Sequence, residues 1–335
     1  MSAGPAAARQ GPFCRLSRTL QPAFRFPCWR CEIGCGSRAF CHANTFPTPH
    51  FSIEKIIMLI DSHHHLWAYD PAEYGWISDD MSVLRQDFLA AQLREIASES
   101  GVDGFVSVQA RQSMQETDDL LKIASEEPLI RGVVGWIGLA DPDMESQLES
   151  VSGRDKLVGM RHVVQDEPDD RFLDGEAFNH GVSLLGQHNL VYDILIFAKQ
   201  LPAAIDFADR HASLPMVVDH IAKPTISGGT MDPQWEPHFR ELARREHLTC
   251  KFSGVATEVR DADWDIETIR PYWDVALEAF GPKRLMFGSD WPVCLLRTGH
   301  KQWLDTVRQL ASELSEDEQA AFFTDNAIKA YGLDA

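Results

Sequence analysis

From Met58 onward, short apolar runs alternate with stretches whose apolar residues recur at helical spacing. Eight runs stand out: Leu59–His65, Gly104–Ala110, Ile130–Ile137, Leu157–Val164, Leu190–Phe197, Pro215–Ile221, Leu248–Gly254 and Arg284–Asp290. Each is seven or eight residues long and rich in Val, Ile, Leu or Phe. Such runs lack polar alternation, which is the pattern of parallel strands buried on both faces. Between them, Phe88–Ser100 carries Phe88, Leu89, Leu93, Ile96 and Ala97 on one stripe, and Asp118–Ser125 does the same with Leu120, Leu121, Ile123 and Ala124. Leu201–His211, with Pro202 in its first turn, Glu236–Glu246, Ile266–Ala279 and Trp303–Leu310 also read as helices. A last helix is announced by the capping-box spacing of Ser315 and Glu318.

Eight strand–helix alternations in about 278 residues match a (β/α)8 barrel, a TIM barrel, which typically takes about 250. An open doubly wound sheet is the alternative, but no Gly-x-Gly-x-x-Gly follows a strand. No run approaches the roughly 18 apolar residues of a membrane span.

Charge divides the chain of 335 residues. The formal net charge is −19, yet residues 1–57 hold seven of the 31 basic groups and two of the 50 acidic ones. They also hold five of the seven cysteines: Cys14, Cys28, Cys31, Cys35 and Cys41. This stretch shows no structural period and reads as a disordered extension, or as a start assigned too far upstream. A small zinc knot and an Arg-rich leader are the competing readings. The acidic body disfavours nucleic acid and anionic membranes as partners. With only Cys250 and Cys294, it has no disulfide framework, so a cytoplasmic location is expected and a homo-oligomer is compatible with it.

In a barrel, chemistry sits where strands end at the C-terminal face. The first run ends in Asp61-Ser62-His63-His64-His65, where alternation points His63 and His65 the same way and His64 the other. They are candidate nitrogen ligands. The fourth ends in Arg161-His162 and the sixth in Asp219-His220; alternation sends one of each pair to the mouth, His220 being preferred in the sixth. The eighth ends in Ser289-Asp290-Trp291-Pro292, and Asp290 is the candidate base for water. Lesser candidates are Gln109, Lys223, Lys251 and Ser253, with Trp67, Tyr74, Trp76 and Trp291 as aromatic walls. There is no Gly-x-Ser-x-Gly, P-loop or His-Glu-x-x-His.

Taken together, Asp61-x-His63-x-His65, Asp219-His220-x-x-Lys223-Pro224, Lys251-Phe-Ser253-Gly254 with Glu258, Gly288-Ser-Asp290-Trp-Pro292 and Asn326-Ala-x-x-x-Tyr331-Gly-Leu333 resemble the amidohydrolase superfamily. Within its amidohydrolase-2 branch they look like the sugar lactonases of the L-fuconolactonase and L-rhamnono-γ-lactonase type. The resemblance covers 58–335 and not 1–57. It implies an amidohydrolase-like barrel that hydrolyses a sugar lactone. Asp290, His220 and Arg161 or His162 would be catalytic, and Trp67, Trp76, Gln109, Lys223 and Trp291 would bind substrate. His63, His65 and Asp290 would hold one divalent cation, zinc, if the reaction uses a metal at all. The strand-4 Lys and strand-5 His usual in the superfamily are missing, which argues against two metals. A metal-dependent decarboxylase or amide hydrolase of the same branch, and a barrel that binds a small molecule without turnover, are the alternatives.

Overall fold

Each of the eight apolar runs forms a strand in the computed structural model, which describes residues 58–334; the expectations for 1–57 lie outside the described residues. The strands are β1 Ile60–His64, β2 Gly104–Val108, β3 Ile130–Gly135, β4 Leu157–Val163, β5 Val191–Leu195, β6 Met216–Val218, β7 Leu248–Phe252 and β8 Leu285–Phe287. Neighbours pair in parallel in sequence order. Just past β8, Asp290 N donates to His63 O (2.8 Å) and His65 N to Trp291 O (2.7 Å), which brings the last strand end against the first. The result is a (β/α)8 barrel.

The intervening helices are α1 Ala90–Ser100, α2 Met114–Glu126, α3 Met144–Val151, α4 Glu176–Leu185, α5 Leu201–Arg210, α6 Trp235–Leu242, α7 Ile266–Phe280 and α8 His300–Ala311. The sequence pattern had offered no α3 or α4. The Ser315 capping box opens α9 Glu316–Ala320: Glu318 N donates to Ser315 Oγ (3.4 Å), and Ser315 N to Glu318 Oε2 (2.9 Å). A π-helical turn over Ala321–Asp325 leads into α10 Asn326–Tyr331.

Two apolar layers hold the barrel. The larger lies between the outer strand faces and the helices, where Leu120, Phe178, Phe207, Phe239, Trp273 and Trp303 are buried. The smaller fills the barrel itself with Ile60, Val106, Val134, Val191, Val217 and Met286. Ala327, Tyr331 and Leu333 of the C-terminal segment pack into this inner layer. Asn326 ties the segment down, its Nδ2 donating to Pro282 O and Leu285 O at 2.7 Å each, at the start of β8. The opposite, C-terminal end of the strands stays open as a mouth.

Candidate functional site

Strand β1 delivers the first two groups. His63 Nε2 and His65 Nε2 lie 3.3 Å apart, while His64 turns away to Ser107 Oγ (2.8 Å) and the Phe105 ring. His65 Nδ1 sits 2.7 Å from Val108 O, so it carries the proton and Nε2 presents a lone pair to the mouth. Asp61 braces the corner: Oδ1 accepts from Ser289 N (2.8 Å) and His63 N (3.2 Å), and Oδ2 lies 3.1 Å from His300 Nε2. Beyond β8, Asp290 adopts a left-handed φ of 60°. Its Oδ1 comes within 3.3 Å of His65 Nε2, 3.8 Å of His63 Nε2 and 3.9 Å of His220 Nε2.

After β6, strand alternation fails, and it fails at the site. His220, Ile221, Ala222 and Lys223 have φ of 53°, 48°, 58° and 46°. The chain coils left-handed, so His220 lines the cavity at the mouth while Asp219 turns into the barrel beneath it instead of toward the packing side. His220 Nδ1 lies 2.9 Å from Ser253 Oγ. Asp219 takes Arg161 Nη1 on Oδ2 (3.0 Å) and Lys251 Nζ at Oδ1 (2.9 Å), with His63 Nδ1 3.3 Å from the same oxygen. Arg161 also reaches His63 Nε2 (3.3 Å) and bonds both the carbonyl and Oε1 of Gln109. Lys251 continues to Asp193 Oδ2 (2.6 Å), which Tyr331 Oη bonds at 2.8 Å.

Gly254 makes the close packing of these groups possible. It has φ +63°, and a Cβ there would fall 2.8 Å from both Asp290 Oδ2 and His220 Nδ1.

Electrostatics fix the charge states. Burial, with Lys251 nearby, drives the His63 pKa well below its ordinary value, and burial takes His220 down to about 4. Both imidazoles are therefore neutral at pH 7. Burial raises Asp290, but His220 and His65 outweigh it and hold the carboxyl below its usual range. Burial likewise raises Asp219, yet Lys251 and His63 carry it well below. Asp193, farther inside, is pushed up by burial to about 6.

The mouth opens on a cavity of about 320 Å³, within the size range of small-molecule sites. His65, Arg161, His220 and Asp290 form its floor; Trp76, Arg111, Lys223, Val163, Leu195 and Val293 are among its walls. The other proposed contacts lie elsewhere. His162 points out of the barrel, stacked on Phe172 (4.9 Å between centroids) and 2.7 Å from Glu167 Oε1, because its neighbour Arg161 takes the inner face. Trp67 is buried under the first loop, its Nε1 donating to Gln86 O, and Trp291 packs edge-on against Phe88. Gln109 is fully buried and spent on Arg161. Asp193 was missed as a site residue; its signal was a charge inside the apolar run Val191–Leu195.

The donors His63 Nε2, His65 Nε2 and Asp290 Oδ1 can together hold a metal ion. Their separations of 3.3, 3.3 and 3.8 Å form one face of a tetrahedron. Bonds of about 2.0–2.1 Å to zinc put adjacent ligands about 3.3–3.4 Å apart, which two of the three separations match, and two imidazoles with one carboxylate are donors that would suit zinc.

The sequence pattern of the Amidohydrolase family matches residues 60–333. The chain is 40% identical over 287 residues to an L-fucono-1,5-lactonase of Burkholderia multivorans, spanning 82% of this chain and 96% of that one. It is 32% identical over 280 residues to an L-fucono-1,5-lactonase of Burkholderia ambifaria, with the same coverage. A crystal structure of an amidohydrolase from Burkholderia multivorans with bound zinc superposes with a TM-score of 0.79 at 39% identity, covering 83% of this chain and all of that one.

Proposed function

The chain belongs to the amidohydrolase family, and from that premise we propose that it hydrolyses the cyclic ester of a sugar acid, an L-fuconolactone-type lactone. The observation that carries the reading is Asp290 set against the imidazoles of His63 and His65 at the floor of the cavity. A lactone needs less electrophilic help than an amide, which suits a site of imidazoles, one carboxylate and one guanidinium.

Water enters at the floor beside Asp290. Oδ1 of Asp290 faces the two imidazoles, so Oδ2 takes the proton as water attacks the lactone carbonyl. His220, its Nδ1 engaged by Ser253, presents Nε2 to the developing oxyanion, and Arg161 adds a fixed positive charge beside it. The tetrahedral adduct then expels the ring oxygen. Asp290 returns its proton to that alkoxide, and the product leaves as a hydroxy acid. A carboxylate held below its ordinary pKa is a weak base, so the step would gain from an acidified water. Zinc held by His63, His65 and Asp290 would supply that acidification and polarise the carbonyl.

Trp76, Lys223 and the Val163–Leu195–Val293 patch are proposed to bind the sugar ring; Lys223 Nζ sits 3.9 Å from Glu258 and faces the Phe197 ring. Residues 58–335 are taken as the catalytic unit and 1–57 as an extension outside it, a reading supported by a family match that begins at residue 60. The acidic body and the free buried thiols of Cys250 and Cys294 support action in the cytoplasm on a small molecule. No helix among the described residues is long and apolar enough to cross a membrane.

A panel of sugar lactones followed with a pH indicator, with and without chelator, tests the reading. Acid release on L-fucono-1,5-lactone supports it. Inertness on every lactone, with turnover of an aromatic acid or an amide, points to the decarboxylase or amide-hydrolase chemistry, and binding without any turnover points to a non-catalytic barrel.

A further inference from the structure

Beneath the mouth lies a second group of donors, His63, Asp219 and His220, near enough to one another to hold a metal. The ammonium of Lys251 stands among them. Its Nζ is 2.9 Å from Asp219 Oδ1, 3.2 Å from His63 Nδ1 and 2.6 Å from Asp193 Oδ2. All three partners and the lysine are fully buried. Lysine is almost never so placed unless paired. Asp219 Oδ1 makes no hydrogen bond despite standing 2.9 Å from Lys251 Nζ, so charge rather than bond geometry holds it.

The charges balance without a further ion. Two carboxylates, Asp193 and Asp219, face two cations, Lys251 and Arg161. A divalent cation added here would stand uncompensated in a dry interior, where unpaired charge is strongly disfavoured. His63 belongs to both groups: Nε2 looks to the mouth, and Nδ1 looks to Lys251 and Asp219.

We propose that Lys251 is a built-in cation, its ammonium taking the place of a second metal ion beside Asp219 and His63 and so limiting the centre to the single ion of the mouth. The inference rests on the reading of His63, His65 and Asp290 as the metal-holding set.

The test is zinc stoichiometry by equilibrium dialysis with elemental analysis, on the full chain and on Lys251→Ala, with folding followed by circular dichroism. Lys251→Ala is expected to bind one equivalent more than the parent. If it is unfolded without zinc, it is expected to fold when zinc is added. The charge-balanced Lys251→Met/Asp193→Asn pair is expected to bind the same number as the parent. A parent with no zinc overturns the reading of His63, His65 and Asp290 as the metal-holding set, and with it the proposal that rests on it. Equal counts in parent and Lys251→Ala overturn the proposal, as do two equivalents in the parent, an extra ion in the charge-balanced pair, or a Lys251→Ala chain that zinc cannot fold.

Discussion

Replacing Gly254 by alanine separates the site's geometry from its stability. The residue has φ +63°, and a new Cβ would lie 2.8 Å from Asp290 Oδ2 and from His220 Nδ1, where ordinary contact begins at 3.4 Å. Both groups must therefore retreat by about 0.6 Å. Neither is the free end of a long side chain; Oδ1 of the same carboxylate is held at 3.3 Å from His65, and the His220 ring is bonded to Ser253. The left-handed conformation costs an alanine about 1–2 kcal/mol, and overpacking adds about 1–3 kcal/mol. A misplacement of about 1 Å at reacting groups costs on the order of 10²-fold in rate, so 0.6 Å in the base and its neighbour predicts a fall in kcat of about 10–100-fold. Gly101 supplies the control: it also has positive φ (+72°), but no atom lies within 4 Å of its would-be Cβ. Gly101→Ala should lose about 1–2 kcal/mol and keep its kcat. Urea unfolding gives the stability change from the midpoint at constant slope, and lactone hydrolysis gives kcat. A Gly254→Ala enzyme within twofold of the parent, or a Gly101→Ala enzyme equally slowed, would refute the reasoning.

Three further outcomes follow from the same contacts. His162→Phe, which keeps the stacking on Phe172, should leave kcat close to the parent's, whereas His220→Asn should lower it by about 10²-fold or more; equal effects in steady-state assays would contradict the outward placement of His162. Burial holds the pKa of His64 at about 3, so the unfolded chain takes a proton near pH 6.5 that the folded chain refuses until about pH 3. Stability is therefore lost as pH falls through that window, by about 1.4 kcal/mol per unit, and His64→Phe should flatten the urea-derived pH profile between 4 and 6 by that slope. Tyr331→Phe takes a donor from the buried Asp193 carboxyl and should cost about 1–3 kcal/mol in the same unfolding assay; an unchanged midpoint would show that this hydroxyl does not support Asp193.

The strands were legible because both their faces are buried, so the apolar runs are continuous and cannot be confused with amphipathic helices. Helices α3 and α4 were not. Met144–Val151 is short and mostly polar. Glu176–Leu185 contains Gly181, a poor helix former, which is needed because a Cβ there would lie 2.2 Å from Leu139 O. At the mouth, alternation separated His63 and His65 from His64 even though the β1–β2 register shifts between Asp61 and His64. It failed at Asp219-His220, because the run of left-handed residues that breaks it leaves no mark in residue type; none of the four is glycine. The Lys251–Asp193–Tyr331 chain joins three distant segments through the barrel interior, and only the closed ring of strands brings them together. For the aromatic side chains the reason is simpler: Trp67 and Trp291 lie near the mouth in sequence, but both pack at near right angles against Phe88.

The central claim is that Asp290, poised beside His63, His65 and His220, moves the proton in lactone opening. Proton release from L-fucono-1,5-lactone, measured side by side for the parent and for Asp290→Asn, tests it most directly. Saturable turnover in the parent that falls by about 10²–10⁴-fold in a folded Asp290→Asn chain is the predicted result. A parent inert on the lactone, or an Asp290→Asn chain as fast as the parent, would contradict it.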